Sequence, residues 1–314
     1  MVDLAMRIWV CFAAVCLVCI VNLYLLRTDH DCHHHLPPKI ENQTVLEQTR
    51  IVAVEPTTFV SVALVGRLGN QLFVAASSYG IAQSRGSRWC IHGLENSLLR
   101  SAVVFSVEPE QCPPDVRFEV MREEGDRVHH FNAQFNIDRL GENVQVGDYL
   151  QSYKYFSNVS LPFRLKDGEW GSAWVSQKGV KVGVHVRRGD YIENANGAVP
   201  PPSFYEKVLG LIPSLQPGEV VICSDDPAWV RSQPVFGGML ISEGHSPAQD
   251  LAILAACRYV VVSIGTFGWW GGFLAHRDQQ STVIYDSEPY NAVRVNVDDV
   301  KHDFFPPEWV GVSP

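Results

Sequence analysis

The spacing of apolar positions changes in kind along this chain. Residues 8–26 form one apolar run broken only by Asn22, about the length a helix needs to cross a bilayer. Residues 27–56 are polar, carry Pro37-Pro38 and keep no sustained period, the pattern of a flexible stem. From Phe59 onward the apolar runs shorten to strand length. Phe59–Val65 reads as a buried strand, Gly66–Gln71 as a glycine turn, and Leu72–Ser84 as a helix. Residues 88–170 alternate short apolar segments with turns and carry Tyr149, Tyr153, Tyr155 and Phe156, without an order that periodicity resolves. Beyond Gly179 four strands stand out, Val180–Val186, Glu219–Cys223, Arg258–Val262 and Thr282–Tyr285, with helical segments between the first three. That alternation predicts an α/β fold built on a parallel sheet.

Two helix starts carry capping-box spacing, Ser203-Phe-Tyr-Glu206 and Ser246-Pro-Ala-Gln249, and Pro247 suits a first helical position. Asp250 complements the dipole there or serves a ligand. Thr266-Phe-Gly-Trp-Trp-Gly-Gly-Phe-Leu-Ala275 reads as a hydroxyl cap opening an apolar helix, whose unpaired N–H groups could receive a phosphate. Trp270, Phe273 and Leu274 share helical spacing and read as core; Phe267 packs inward or lines a site.

The 314 residues are 46% hydrophobic and 19% charged, enough for one large or two medium domains with a proper core. A net charge of -9 argues against a nucleic-acid footprint, so any anion site has to be made locally. Val182-Gly-Val-His-Val-Arg-Arg-Gly-Asp190 supplies one, because Arg187 and Arg188 follow the end of a strand. Ligands of open α/β sheets collect beyond the carboxyl ends of strands, and a guanidinium forks onto two phosphate oxygens. An ordinary strand with a solvated turn, Arg188 paired to Asp190, fits the local sequence equally. Two further strand ends carry polar clusters, Ser224-Asp225-Asp226 and Ser263-Ile-Gly-Thr266, and the coincidence favours a nucleotide crevice. Asp225-Asp226 reads as a magnesium pair or as a helix start before Pro227. With arginines placed to neutralise a diphosphate, the site is expected to need no metal.

Of the eight cysteines, Cys11, Cys16 and Cys19 lie in the apolar run. The odd remainder, Cys32, Cys90, Cys112, Cys223 and Cys257, implies an unpaired thiol or an interchain bridge, with Cys32 the candidate for a disulfide-linked dimer. No cysteine spacing resembles a zinc site, and His30-Asp-Cys-His-His-His35 lacks a scaffold to preorganise a metal. The run at residues 8–26 is read as a retained signal-anchor rather than a cleaved signal peptide, whose apolar core would be shorter. The sequons at Asn42 and Asn158 then belong in a secretory lumen. The organisation expected is a cytoplasmic tail (1–7), a transmembrane signal-anchor (8–26), a stem (27–56), a first α/β lobe (57–175) and a second lobe that carries the nucleotide crevice, with a C-terminal tail (176–314).

Gly66-Arg-Leu-Gly-Asn-Gln71, His185-Val-Arg-Arg-Gly-Asp-Tyr191, Ser246-Pro-Ala-Gln-Asp250, Ser263-Ile-Gly-Thr-Phe-Gly268 and Pro307-Glu-Trp-Val-Gly311, in this order, resemble the motifs of the α-1,2-fucosyltransferases of glycosyltransferase family 11. The resemblance implies two Rossmann-like lobes of the B-type glycosyltransferase fold, preceded by one transmembrane helix, in a type II Golgi membrane enzyme. Such an enzyme moves L-fucose from GDP-fucose to the 2-hydroxyl of a terminal galactose, with β-galactoside-terminated glycans on glycoproteins or glycolipids as acceptors. It also implies that Arg188 binds the donor diphosphate and that Asp250, Ser263, Thr266 and Phe267 belong to the donor site; with His185, Arg187 and Gly268 of the same motifs and Ser224 and Asp225 of the strand-end clusters they make the candidate donor set, while Arg67 and Asn70 of the glycine turn are placed on the acceptor side. Asp190 is a candidate base or a partner orienting the arginines, and the base stays unassigned. Protein O-fucosyltransferases resemble the chain in the same glycine and arginine motifs. A non-catalytic, membrane-tethered protein binding sugar nucleotides or glycans is the other alternative.

Overall fold

The computed structural model describes residues 57–123, 129–193, 199–288 and 297–314. The predicted anchor, the stem, Cys32 and Asn42 lie outside them. Among the described residues no helix is long and apolar enough to cross a membrane.

The chain begins with β1 (Phe59–Ala63), α1 (Leu68–Arg85), β2 (Arg88–His92), α2 (Leu98–Ala102) and β3 (Val103–Phe105). Then follow β4 (Glu119–Met121), α3 (Gln134–Ile137), β5 (Val144–Val146), β6 (Phe163–Leu165) and α4 (Gly168–Lys178). The second part runs β7 (Val182–Val186), α5 (Pro202–Gly210), β8 (Val220–Ser224), α6 (Pro227–Ser232), β9 (Leu240–Ile241), α7 (Pro247–Ala255) and β10 (Tyr259–Val262). It ends with α8 (Thr266–Gln279), β11 (Thr282–Asp286), α9 (Val297–Phe304) and β12 (Val310–Val312).

Two sheets result, both wholly parallel. The first has four strands in the order β2-β1-β5-β4, and the second has six in the order β12-β11-β10-β7-β8-β9. β3 and β6 make a separate antiparallel pair. In the second sheet β7 lies between β8 and β10, with Val184 opposite Ile222 on one side and Val261 on the other. Strand order therefore reverses between β7 and β10, and a doubly wound sheet opens its ligand crevice at such a reversal. β7 is buried at every position, as expected for a parallel strand covered on both faces.

The core between the sheets is aromatic. Phe73 of α1 packs on Trp269 and Trp270 of α8 at centroid separations of 4.4 and 5.2 Å. Phe304 of α9 stacks on Trp269 at 5.8 Å, and the Trp269 indole N–H donates to the Phe304 carbonyl at 2.8 Å. Both tryptophans are wholly buried, so truncating either to alanine costs about 3–5 kcal/mol.

Two local readings need correction. Ser203 is not a cap: α5 starts at Pro202 with Pro201 in the cap position and no side-chain cap bond, because proline already fixes the entry geometry. Thr266 is the first residue of α8 rather than its cap, a place taken by Gly265. Cys90 pairs with Cys112, and Cys223 and Cys257 are buried thiols. The Ser246 capping box forms as the spacing predicts.

Candidate functional site

The carboxyl ends of both sheets open onto one cavity of about 510 Å³. Gly66 to Asn70, after β1, form one wall; His185, Arg187, Asp190 and Tyr191 after β7, Ser224 and Asp225 after β8, and Ile264 to Phe267 after β10 form the other. Asp250 and Pro247, at the start of α7, complete the lining together with Cys223 and Leu98.

The walls touch where α1 and α8 begin. A Cβ on Gly69 would lie 2.6 Å from the Thr266 hydroxyl and 2.7 Å from the Phe267 nitrogen, so only glycine lets the two helix starts approach this closely. The Thr266 hydroxyl donates to Asn70 Oδ1 at 2.7 Å, and that oxygen also accepts from Gln151 Nε2 at 3.1 Å. Gln71 Oε1 accepts from the Leu99 amide at 2.9 Å, and its Nε2 donates to the Gly66 carbonyl at 3.1 Å. The Gly66–Gln71 motif is thus a joint between the sheets as well as a cavity wall.

At the strand reversal, the Ser263 hydroxyl accepts from the Arg187 amide at 3.1 Å and lies 3.3 Å from His185 Nδ1. The serine hydroxyl thus ties the imidazole to the Arg187 backbone and holds the ring at the strand reversal. Burial, reinforced by the neighbouring Arg187 charge, pushes the His185 pKa down to about 3, so the ring is neutral at working pH. Gly268 makes room for it, since a Cβ there would fall 2.3 Å from His185 Nδ1. Phe267 packs on the same imidazole at 5.6 Å.

The two arginines diverge. Arg187 lines the cavity, its guanidinium held by Asp190 and Asp225 and set 5.2 Å over the Tyr191 ring. Arg188 turns toward α6: its Nε donates to Asp226 at 3.2 Å and its guanidinium lies 3.9 Å over Trp229, outside the cavity lining. Its amide donates to Asp225 Oδ1 at 2.8 Å. Asp226 also caps α6 through the Trp229 amide at 3.0 Å. All four oxygens of Asp225 and Asp226 therefore have protein partners, which favours the helix-start reading of that pair. Among the described residues no group of three or more His, Cys, Asp or Glu is placed to hold a metal ion.

Arg67 and Asp190 approach at 3.9 Å with side chains 72% and 60% exposed, a contact worth under about 1 kcal/mol. Asp250 Oδ1 accepts from Ser242 Oγ at 2.5 Å, and Ser242 in turn lies 2.8 Å from His245 Nδ1. His245 stands edge-on to Trp170 and Trp174 at 5.2 and 5.7 Å. With the serine proton directed at the carboxylate, His245 has to donate. Burial holds Asp250 above the usual carboxylate range, opposed by the Ser242 bond and by His245.

Every predicted donor-side residue except Arg188 and Gly268 lines the cavity or, like Ser263, braces one that does; Gly268 lies directly behind His185. Sequence reasoning missed Tyr191, Gln151 and the Ser242–His245 pair. Tyr191 adjoins the arginine motif and was legible by position; the others join through contacts that no local spacing encodes. Asn158 is exposed, as a glycan acceptor has to be.

Residues 168–313 match the profile described as Glycosyl transferase family 11. A galactoside 2-alpha-L-fucosyltransferase of Caenorhabditis elegans is 30% identical over 271 residues, covering 77% of this chain and 76% of the relative. Galactoside alpha-(1,2)-fucosyltransferase 2 of Rattus norvegicus is 27% identical over 278 residues, covering 79% and 75%. Among solved structures, the fucosyltransferase NodZ from Bradyrhizobium aligns with a TM-score of 0.46 at 15% identity, over 69% of this chain and 92% of its own.

Proposed function

The chain belongs to glycosyltransferase family 11, and from that premise and the cleft's geometry we propose that it is an α-1,2-fucosyltransferase, moving L-fucose from GDP-fucose to the 2-hydroxyl of a terminal galactose. The observation that carries the reading is the single cavity closed by both carboxyl edges, with one guanidinium, Arg187, presented at the strand reversal.

Reaction is a single inverting displacement. The acceptor hydroxyl attacks the anomeric carbon of the β-linked donor as the bond to the diphosphate oxygen breaks, and the hydroxyl proton passes to the departing diphosphate, giving an α-linked product and GDP. The transition state resembles an oxocarbenium ion, and the departing diphosphate takes up the negative charge. Arg187 and the amino end of α8 lie where that charge develops, which is the term expected to lower the barrier most. Asp190 and Asp225 hold the guanidinium in place before the donor arrives. No metal is called for in this scheme. Neutral His185 presents an uncharged imidazole to the cavity. Arg67 and Asn70 face the acceptor side.

Cys90–Cys112 supports an oxidising compartment, and exposed Asn158 supports a lumenal one. Together with the apolar run at residues 8–26 they favour a Golgi type II protein with a lumenal catalytic part.

The purified full-length chain, incubated with labelled GDP-fucose and either β-galactosides or folded acceptor domains, should place label on the galactose 2-hydroxyl. Label on the protein domains alone would make it a protein O-fucosyltransferase. Donor binding with no transfer to either acceptor would make it a binding protein.

A further inference from the structure

A second cavity, of about 570 Å³, opens at the carboxyl end of β2, the strand beside β1 in the first sheet. Its walls are residues 91–96, leaving β2, and residues 108–112. They are joined before any ligand arrives. Cys90 and Cys112 link them covalently, the Glu110 amide donates to the Trp89 carbonyl at 2.9 Å, and Arg88 Nε donates to the Glu110 carboxylate at 2.8 Å. A trough that needs no ordering keeps more of its contact energy for binding.

The three carboxylates of the trough are partly offset by two arginines behind its walls. Arg100 lies 2.5 Å from Glu108 and 3.9 Å from Glu95, while Glu110 is held by Arg88. Two neutral amides are left over: among the described residues the side chains of Asn96 and Gln111 line the trough without a hydrogen-bond partner. Each offers donors and an acceptor, the complement of a sugar hydroxyl. A phosphate would meet the carboxylates of Glu95, Glu108 and Glu110. The wall also runs into the main cleft. Leu98, two residues beyond Asn96, lines the first cavity, and two residues span at most about 7 Å.

We propose that this trough is a second carbohydrate subsite, taking the uncharged sugar units that precede the terminal galactose of an oligosaccharide acceptor. The inference rests on the function proposed above. Its test measures KM for methyl β-galactoside and for a neutral tetrasaccharide ending in β-galactose, using the full-length chain as wild type, Asn96→Ala, Gln111→Ala and the double variant. Both side chains are exposed, so the fold should survive, and a thermal melt checks this. The tetrasaccharide should bind more tightly than the methyl galactoside. Each substitution should raise its KM about fivefold, the scale of one hydrogen bond, leaving KM for GDP-fucose and for methyl galactoside unchanged. Equal KM for both acceptors, or variants that leave the tetrasaccharide unaffected or weaken both acceptors alike, would overturn the subsite while the transfer activity stands. Absence of transfer to either galactoside would overturn the parent function and the subsite with it.

Discussion

The two carboxyl edges that face the cavity are held by different means. On the second sheet the strand ends are tied to one another by polar side chains: Ser263 joins β10 to β7, and Asp225 joins β8 to the Arg187–Arg188 turn. On the first sheet the edge beyond β2 is fixed by a disulfide, and residues such as Leu98, 48% exposed, and Arg67 stay open to solvent. A charged diphosphate needs donors fixed in advance, because reorienting dipoles during reaction costs part of the barrier reduction. A neutral glycan needs shape and hydroxyl partners, which an open wall supplies. The contrast is one of ligand chemistry written into two similar sheet edges.

The largest expected effect tests which arginine belongs to the rigid edge. Arg187→Ala should lower kcat/KM by at least about a hundredfold, the scale of losing a charge partner in the transition state. Arg188→Ala should act mainly through stability, by freeing Asp226 and uncovering Trp229. The reverse ranking, read by steady-state kinetics beside thermal melts, would return the clamp to Arg188 and remove the distinction between facing and buttressing guanidinium groups.

Removing the staple comes next. Replacing Cys90 and Cys112 with serine opens a link across a sequence separation of 22 and should cost about 3 kcal/mol in denaturant unfolding. Acceptor KM should rise more than donor KM. Equal change in both would show that the edges are not independently held.

An effect confined to acid pH concerns His185. Its folded pKa lies below its unfolded value, so the unfolded chain takes up a proton that the native one refuses as pH falls from about 6.5 toward about 3. Stability should decline through that window by up to about 1.4 kcal/mol per pH unit and be unaffected by this residue above it. His185→Asn should flatten that part of the stability profile; an unchanged slope would show that the imidazole is not the group excluded from protonation.

The legibility of the sequence differed between the sheets for a physical reason. β7, β8, β10 and β11 are covered on both faces, and each reads as a continuous apolar run. β4 and β5 are three residues long with a polar or charged residue in each, and β9 has two residues, too short for any period to register. In the site, strand-end clusters were readable because polar residues after apolar runs are local information. The divergence of Arg187 and Arg188 was not, since Arg188, at φ -134° and ψ -86°, leaves the strand path and swings its side chain to α6. Thr266 looked like a cap because nothing nearby announced Asn70, 196 positions earlier in the chain.

The last residues of the chain close the structure. Asp303, near the end of α9, accepts from the Phe131 amide at 2.8 Å and from Lys154 at 2.6 Å, and its carbonyl accepts from Ser152 at 2.7 Å, while β12 adds the outermost strand beside β11. Bonds that reach back 149 to 172 positions cannot form until Asp303 has been synthesised. A nascent polypeptide must therefore wait, with Trp269 and its neighbours partly uncovered, until residues 303–312 have emerged. Termination before Asp303 should accordingly harm folding yield.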